Sequence, residues 1–171
     1  MNEEEFKNVY KSVNKQKCAF EKAALTRRYS CSRLIRRNIG EREAAGCSES
    51  QACHLCNELL CKIREKSRFV LKTTGTGKNP LPHAKEVKVQ CGGLSGLELL
   101  AGANHEDAGK DLIQTSCLNN ELNTQLPSVQ DIYQTIKMTL QKYSTLNQIP
   151  WPSVVQAVTQ FSGRKKRGSR V

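Results

Sequence analysis

The sequence predicts an all-α protein, a small helical bundle of about five or six helices. Two observations lead there. Long stretches without Pro or Gly carry apolar residues at i, i+3, i+4 and i+7, and no segment stands out with the alternation of a half-buried strand. Pro- and Gly-containing breaks such as "TGTGKNPLP" and "QIPWP" then cut the chain into helix-sized pieces.

The first expected helix covers roughly residues 17–45, read from "FEKAALTRRYSCSRLIRRN". At about 100° per residue, Phe20, Ala24, Cys31, Leu34 and Ile35 share one stripe and Cys18 lies opposite. A second helix starts at a Ser48 or Ser50 cap and runs to about Thr73. Ala52, Leu55, Leu59, Leu60, Ile63 and Val70 form its apolar face. Cys56 sits in the middle of that face and Cys53 at its margin, while Cys61 and His54 point away.

Residues 74–82 form a Gly/Pro loop. Its "GTGK" lacks the full G-x-x-x-x-G-K-[ST] phosphate-loop pattern, because Asn79 follows the Lys. Pro82 suits the first turn of a third helix, "HAKEVKVQCGGLSGLELLAG". Glycines inside a helix cost about 1 kcal/mol each, so Gly92 and Gly96 need a reason. Close helix packing is one, and a bulky inorganic cluster against the backbone is another.

Residues 102–127 are polar and irregular, with a short helix expected around 111–122. They separate a basic, cysteine-rich part, 1–101, from a C-terminal helical pair, 128–162. In that pair Val129, Ile132, Tyr133, Ile136, Leu140 and Tyr143 follow helical spacing, with Ser128 and Asp131 resembling a capping box. Pro152 then starts a helix carrying Val154, Val155, Val158 and Phe161. The pair is compatible with a helix-turn-helix, although its second helix offers little base-reading chemistry beyond Gln156, Thr159 and Gln160. Residues 163–171 read as a flexible basic tail.

Charge points to a partner. The 171 residues carry a net charge of +11. Residues 1–91 hold 19 Lys and Arg against 10 Asp and Glu, residues 92–163 hold 3 against 6, and the tail adds five positive charges. This asymmetry suggests nucleic acid or another polyanion. Arg27, Arg28, Arg33, Arg36 and Arg37 are candidate phosphate ligands, as are Arg164, Lys165, Lys166 and Arg167 of the tail. The same arginines have a competing use, pairing with Glu21, Glu41 and Glu43. An acidic protein partner is the other class of polyanion expected.

The amino terminus has no apolar signal core and no stretch reaches the length of a membrane span, so no membrane association is expected. A cytoplasmic setting follows, nuclear in a eukaryote. Eight cysteines in a reducing compartment suggest metal ligation or buried thiols rather than disulfides. Helical geometry converges Cys31, Cys56 and Cys91 from three helices with Cys47 from the loop between the first two. Cys53 is the substitute ligand. Four thiolates suit an iron–sulfur cluster or zinc. Only one Cys-x-x-Cys pair is present, so ligands spread over three helices favour a cluster. The catalytic case is weak: His54 faces away from Cys56, His105 reads as surface, and His83, eight residues before Cys91, could face the same site but better suits an exposed helix start. The expected function is a non-enzymatic nucleic-acid-binding or regulatory protein with the metal site as scaffold or redox sensor. The alternatives are a small iron–sulfur metalloenzyme or electron carrier, and an interaction adaptor with metal-free buried cysteines.

Overall fold

The computed structural model describes residues 2–102 and 130–162. Most of these residues are helical, but a β-hairpin interrupts the order, so the fold is not a pure helical bundle. Cys117, His105, the expected helix near 111–122, Ser128 and the basic tail lie outside the described residues.

Helix α1 spans Glu3–Val13, ahead of the first helix expected from the sequence. Its signal is local. The Asn2 side chain accepts from Glu5 N while Glu5 answers the Asn2 N–H, a reciprocal cap that satisfies two otherwise orphaned donors. Helix α2 is only Glu21–Leu25.

The long helix expected over 17–45 is replaced beyond Leu25. Strand β1, Tyr29–Ser30, is followed by β2, Leu34–Ile39, and β3, Arg42–Cys47. β2 and β3 pair antiparallel from Leu34↔Cys47 to Ile39↔Arg42. Gly40 opens the two-residue turn at φ 61°, a conformation glycine adopts without penalty. The alternation that marks a strand is absent for a physical reason. In β3, Ala44, Ala45 and Gly46 are all buried: α2 and α3 pack on the strand, and the chain around residues 14–18 covers its edge. A strand buried on both faces has no polar side to alternate with.

Helix α3, Ser50–Lys66, begins near the expected position, but its N-cap is Glu49, with no side-chain cap bond, rather than Ser48 or Ser50; it stops at Ser67 and a short α4, Arg68–Leu71, takes over. Helix α5, His83–Gly102, is the central element. A two-residue strand β4, Gln130–Asp131, runs parallel to β1. Asp131 then caps α6, Ile132–Tyr143, by accepting from Gln134 N. Helix α7 is Trp151–Gln160. The C-terminal pair does not stand apart, since α6 and α7 both pack on α5 and α7 does so most extensively.

The α5 glycines permit that packing. A Cβ at Gly92 would lie 2.7 Å from Val158 Cα, and one at Gly96 would lie 2.9 Å from Val154 Cα. Both obstacles are backbone, which cannot swing aside. At Gly93 the obstacle is a side chain, buried Ile63, whose Cδ1 would lie at 2.9 Å and Cγ2 at 3.0 Å. Close helix contact is therefore the reason for these glycines, and no inorganic cluster is required. The core beneath is Phe20, Leu59, Leu60, Ile63, Leu94, Leu97, Ile132, Ile136 and Val158, all essentially sealed from solvent. One charged pair is buried with them: Arg64 meets Glu86, which also accepts from Leu81 N and Gln90 Nε2.

Gly96→Ala should accordingly destabilise the protein by about 1–3 kcal/mol, despite the better helix propensity of Ala. Gly93→Ala should cost less. Thermal unfolding of the two variants reads this, at roughly 2–4 °C per kcal/mol. A more stable Gly96→Ala protein would mean that α5 and α7 do not meet as described.

Candidate metal centre

Five cysteines from four short segments face one space. Cys18, Cys31, Cys47, Cys53 and Cys56 line a cavity of ≈ 10 Å³, closed on one side by Ile132 and Tyr133 of α6. That volume is about what one water-sized sphere occupies.

Backbone pairing builds the site. The chain before α2 lies along the hairpin edge, where Lys17 bridges Gly46, Cys18 N donates to Ala45 O at 2.9 Å and Cys47 N donates to Gln16 O at 2.8 Å. Cys18 and Cys47 are thus held side by side. Cys31 sits in the turn entering β2, where Leu34 N donates back to Cys31 O. Cys47 ends β3, and three residues later α3 begins. Cys53 and Cys56 fall in its first two turns, one turn apart and both buried. The sequence explains each placement locally: the Gly40 turn returns β3 toward Cys31, and the Cys-x-x-Cys spacing puts two sulfurs on one helix face.

Five N–H groups are directed at three of these sulfurs. Arg33 N donates to Cys31 Sγ at 3.4 Å, and the Tyr133 backbone N–H also favours the Cys31 thiolate. The Phe20 backbone N–H does the same at Cys18. Asn57 Nδ2 reaches Cys53 Sγ at 3.5 Å. Gln16 Nε2 is buried without a hydrogen-bond partner among the described residues, yet stands where it favours a thiolate at Cys53. An orphaned donor beside a sulfur is satisfied once that sulfur carries charge. Donors set behind the ligating atoms in this way orient and stabilise metal-bound thiolates.

As thiols, Cys18, Cys31, Cys53 and Cys56 are held protonated. Burial pushes Cys18 up to about 12, and burial likewise raises Cys31, Cys53 and Cys56. Two of them are turned outward as donors: Cys47 Sγ bonds to Glu49 O at 3.2 Å and Cys53 Sγ to Lys17 O at 3.3 Å. Among the described residues no group of three or more His, Cys, Asp or Glu side chains is arranged to hold a metal ion as it stands. Coordination by four of the five requires each coordinating thiol to lose its proton and at least one of these two side chains to rotate inward. None of the seven described cysteines forms a disulfide.

The expected ligand set changes in two places. Cys31, Cys47, Cys53 and Cys56 line the same cavity. Cys91 does not. It is sealed in the core of α5 next to Thr26 and Arg28, because the stripe assumed for residues 17–45 does not continue as a helix. Cys18, expected to face outward on that helix, is buried at the cavity instead. The sequence signal for this arrangement is the glycine turn at Gly40 between Cys31 and Cys47, which marks a hairpin. Cys61 is half-exposed and outside the cavity, and His54 and His83 are exposed.

The arginines expected to bind phosphate are largely engaged with acids. Arg27 and Arg36 both reach Glu43, and Arg33 reaches Glu49 at 3.0 Å while lining the thiol cavity. Arg28 stacks over Phe161, and Arg37 is exposed on β2. Arg164, Lys165, Lys166 and Arg167 lie outside the described residues. Among the described residues no helix is long and apolar enough to cross a membrane. No known protein family, curated protein or solved structure matches the chain.

Zinc added to metal-free protein should protect the half-exposed Cys31 and Cys47 from iodoacetamide and leave Cys61 as reactive as before, read by mapping the adducts. Because burial keeps Cys18, Cys31, Cys53 and Cys56 protonated at neutral pH, each coordinating thiol must release a proton. Apparent zinc affinity should therefore rise by about one decade per pH unit for each such thiol over roughly pH 6–8, and weaken equally as pH falls. A pH-independent affinity would exclude these ligands.

Proposed function

We propose that the chain is a non-catalytic, nucleic-acid-binding regulatory module braced by one zinc ion. Four of Cys18, Cys31, Cys47, Cys53 and Cys56 hold the ion. The observation that carries this reading is that five cysteines line one space of ≈ 10 Å³, with N–H donors aimed at the sulfurs of Cys18, Cys31 and Cys53. That space favours a single ion over an iron–sulfur cluster, whose several metal and sulfide atoms would force the hairpin and α3 apart. Tetrahedral zinc needs four thiolates at about 2.3 Å, and the surplus fifth cysteine stands ready at the rim.

The partner reading rests on charge. A net +11, concentrated before α5, favours a polyanion. Much of the hairpin arginine charge is engaged with Glu43 and Glu49, which steadies the hairpin and places Arg33 where it offsets a thiolate site.

A metal-free cysteine core is the second reading, favoured by Cys47 and Cys53 donating to carbonyls rather than facing one point. Metal analysis separates the two. Protein purified without chelator should carry about one zinc per chain, and removing it should lower the unfolding temperature by several degrees, as expected when a ligand binds only the folded state. Iron with acid-labile sulfide would replace zinc by a cluster. Metal-free protein whose unfolding temperature does not respond to zinc would establish the buried-thiol core.

A further inference from the structure

Helix α4 presents an apolar side chain to water. Phe69 is 94% exposed, far more than any other large hydrophobic residue among those described. A single surface hydrophobe is ordinary, but this one is flanked by charge of one sign. Arg68 precedes it and Lys72 follows the helix. Both line a cleft of ≈ 320 Å³ together with Arg64, Lys85 and the Thr73–Gly77 segment, and no Asp or Glu lines it.

The cleft is built rather than accidental. Arg64 is fixed by the buried Glu86 and spans to Gly77 O at 3.3 Å. Arg68 donates to Gly75 O at 2.9 Å. Gly77 must be glycine, since its φ is +80° and a Cβ there would meet Cys61 O at 2.5 Å. Two arginines thus hold the loop, while Lys72 and Lys85 have no acidic partner among the described residues. Leu71, buried, anchors α4 and keeps Phe69 outward.

A positive groove beside an exposed aromatic ring matches the chemistry of an unpaired nucleotide, whose base offers a π-face and whose phosphate offers charge. A paired base inside a duplex cannot lie on the ring. We propose that Phe69 and the Arg68–Lys72–Lys85 cleft bind single-stranded nucleic acid, a base stacking on Phe69 and a neighbouring phosphate entering the cleft. This rests on the polyanion reading above and moves its principal contact from the hairpin arginines to the α4–α5 loop.

Fluorescence anisotropy of a fluorescein-labelled single-stranded oligothymidylate, titrated with the full zinc-loaded chain at several salt concentrations, tests it. Phe69→Ala, at a site too exposed to affect folding, should weaken binding roughly fivefold to a hundredfold with the salt slope unchanged. Lys72→Gln with Lys85→Gln should flatten the slope by about 0.7 for each phosphate no longer neutralised. A duplex of matching sequence should bind more weakly than the single strand. If the wild type binds but these variants bind equally well, while Arg36→Gln with Arg37→Gln binds poorly, the cleft proposal fails and the polyanion reading stands. If the wild type binds no oligonucleotide at low salt, both fail. Phe69-dependent binding to anionic phosphatidylserine vesicles in that case would assign the surface to a membrane.

Discussion

Everything around the candidate centre depends on a short stretch of chain lying against the hairpin edge. Cys18 N to Ala45 O and Cys47 N to Gln16 O are backbone bonds that cannot be replaced by side-chain chemistry. They bring an N-terminal thiol beside the last residue of β3. Gly46 makes the approach possible, because a Cβ there would lie 2.6 Å from Asn14 Oδ1. Asn14 in turn donates to Ala45 O. Buried Glu21 locks the same corner from below: it accepts from Tyr10 Oη at 2.6 Å and from Ala45 N at 3.2 Å, and pairs with Lys17. A buried carboxylate is tolerated only with such partners. Here they tie α1, α2 and β3 into one unit.

The helices that follow are legible in the sequence because each carries its own boundary chemistry. α5 starts at His83, just past Pro82, and α7 carries Pro152 in its first turn. The need for helix contact at Gly92 and Gly96 is equally readable, since a glycine in a helix interior is costly without one. The hairpin is not. Apart from Gly40 and Gly46, "LIRRNIGEREAAGC" has helix-compatible residues, and Ala44, Ala45 and Gly46 are all buried, so period does not separate strand from helix and the signal is the Gly40 turn alone. A helical azimuth over this segment puts Cys18 outside and aligns Cys31 with Cys91. The hairpin reverses both. Cys53 and Cys56 fall where helical spacing puts them because α3 is a helix in fact. The acidic pairing of the arginines is visible as an alternative, yet the choice of Glu43 for two of them depends on the cross-strand register.

Five buried or half-buried thiols without metal would be an odd use of core volume. Cysteine is a small hydrophobe, and elsewhere this protein uses one that way: Cys91 sits sealed in α5 with its thiol raised by burial. The cavity cysteines differ in company. N–H donors surround them, an arginine borders them, and a buried amide of Gln16 lacks an acceptor among the described residues. Those features are unfavourable around neutral thiols and favourable around thiolates. Under the proposed zinc reading, a bound ion would resolve the conflict, because it would supply the positive charge that lets buried thiols ionise. In that reading the ion would also cross-link the chain before α2, the hairpin and α3.

X-ray absorption at the zinc edge of the protein as purified tests that claim most directly. The expected result is a coordination sphere of four sulfur atoms at about 2.3 Å with no short metal–metal scattering. A sphere dominated by nitrogen or oxygen would place the ion elsewhere on the surface, and the cavity would then be a cysteine core with no ligating role.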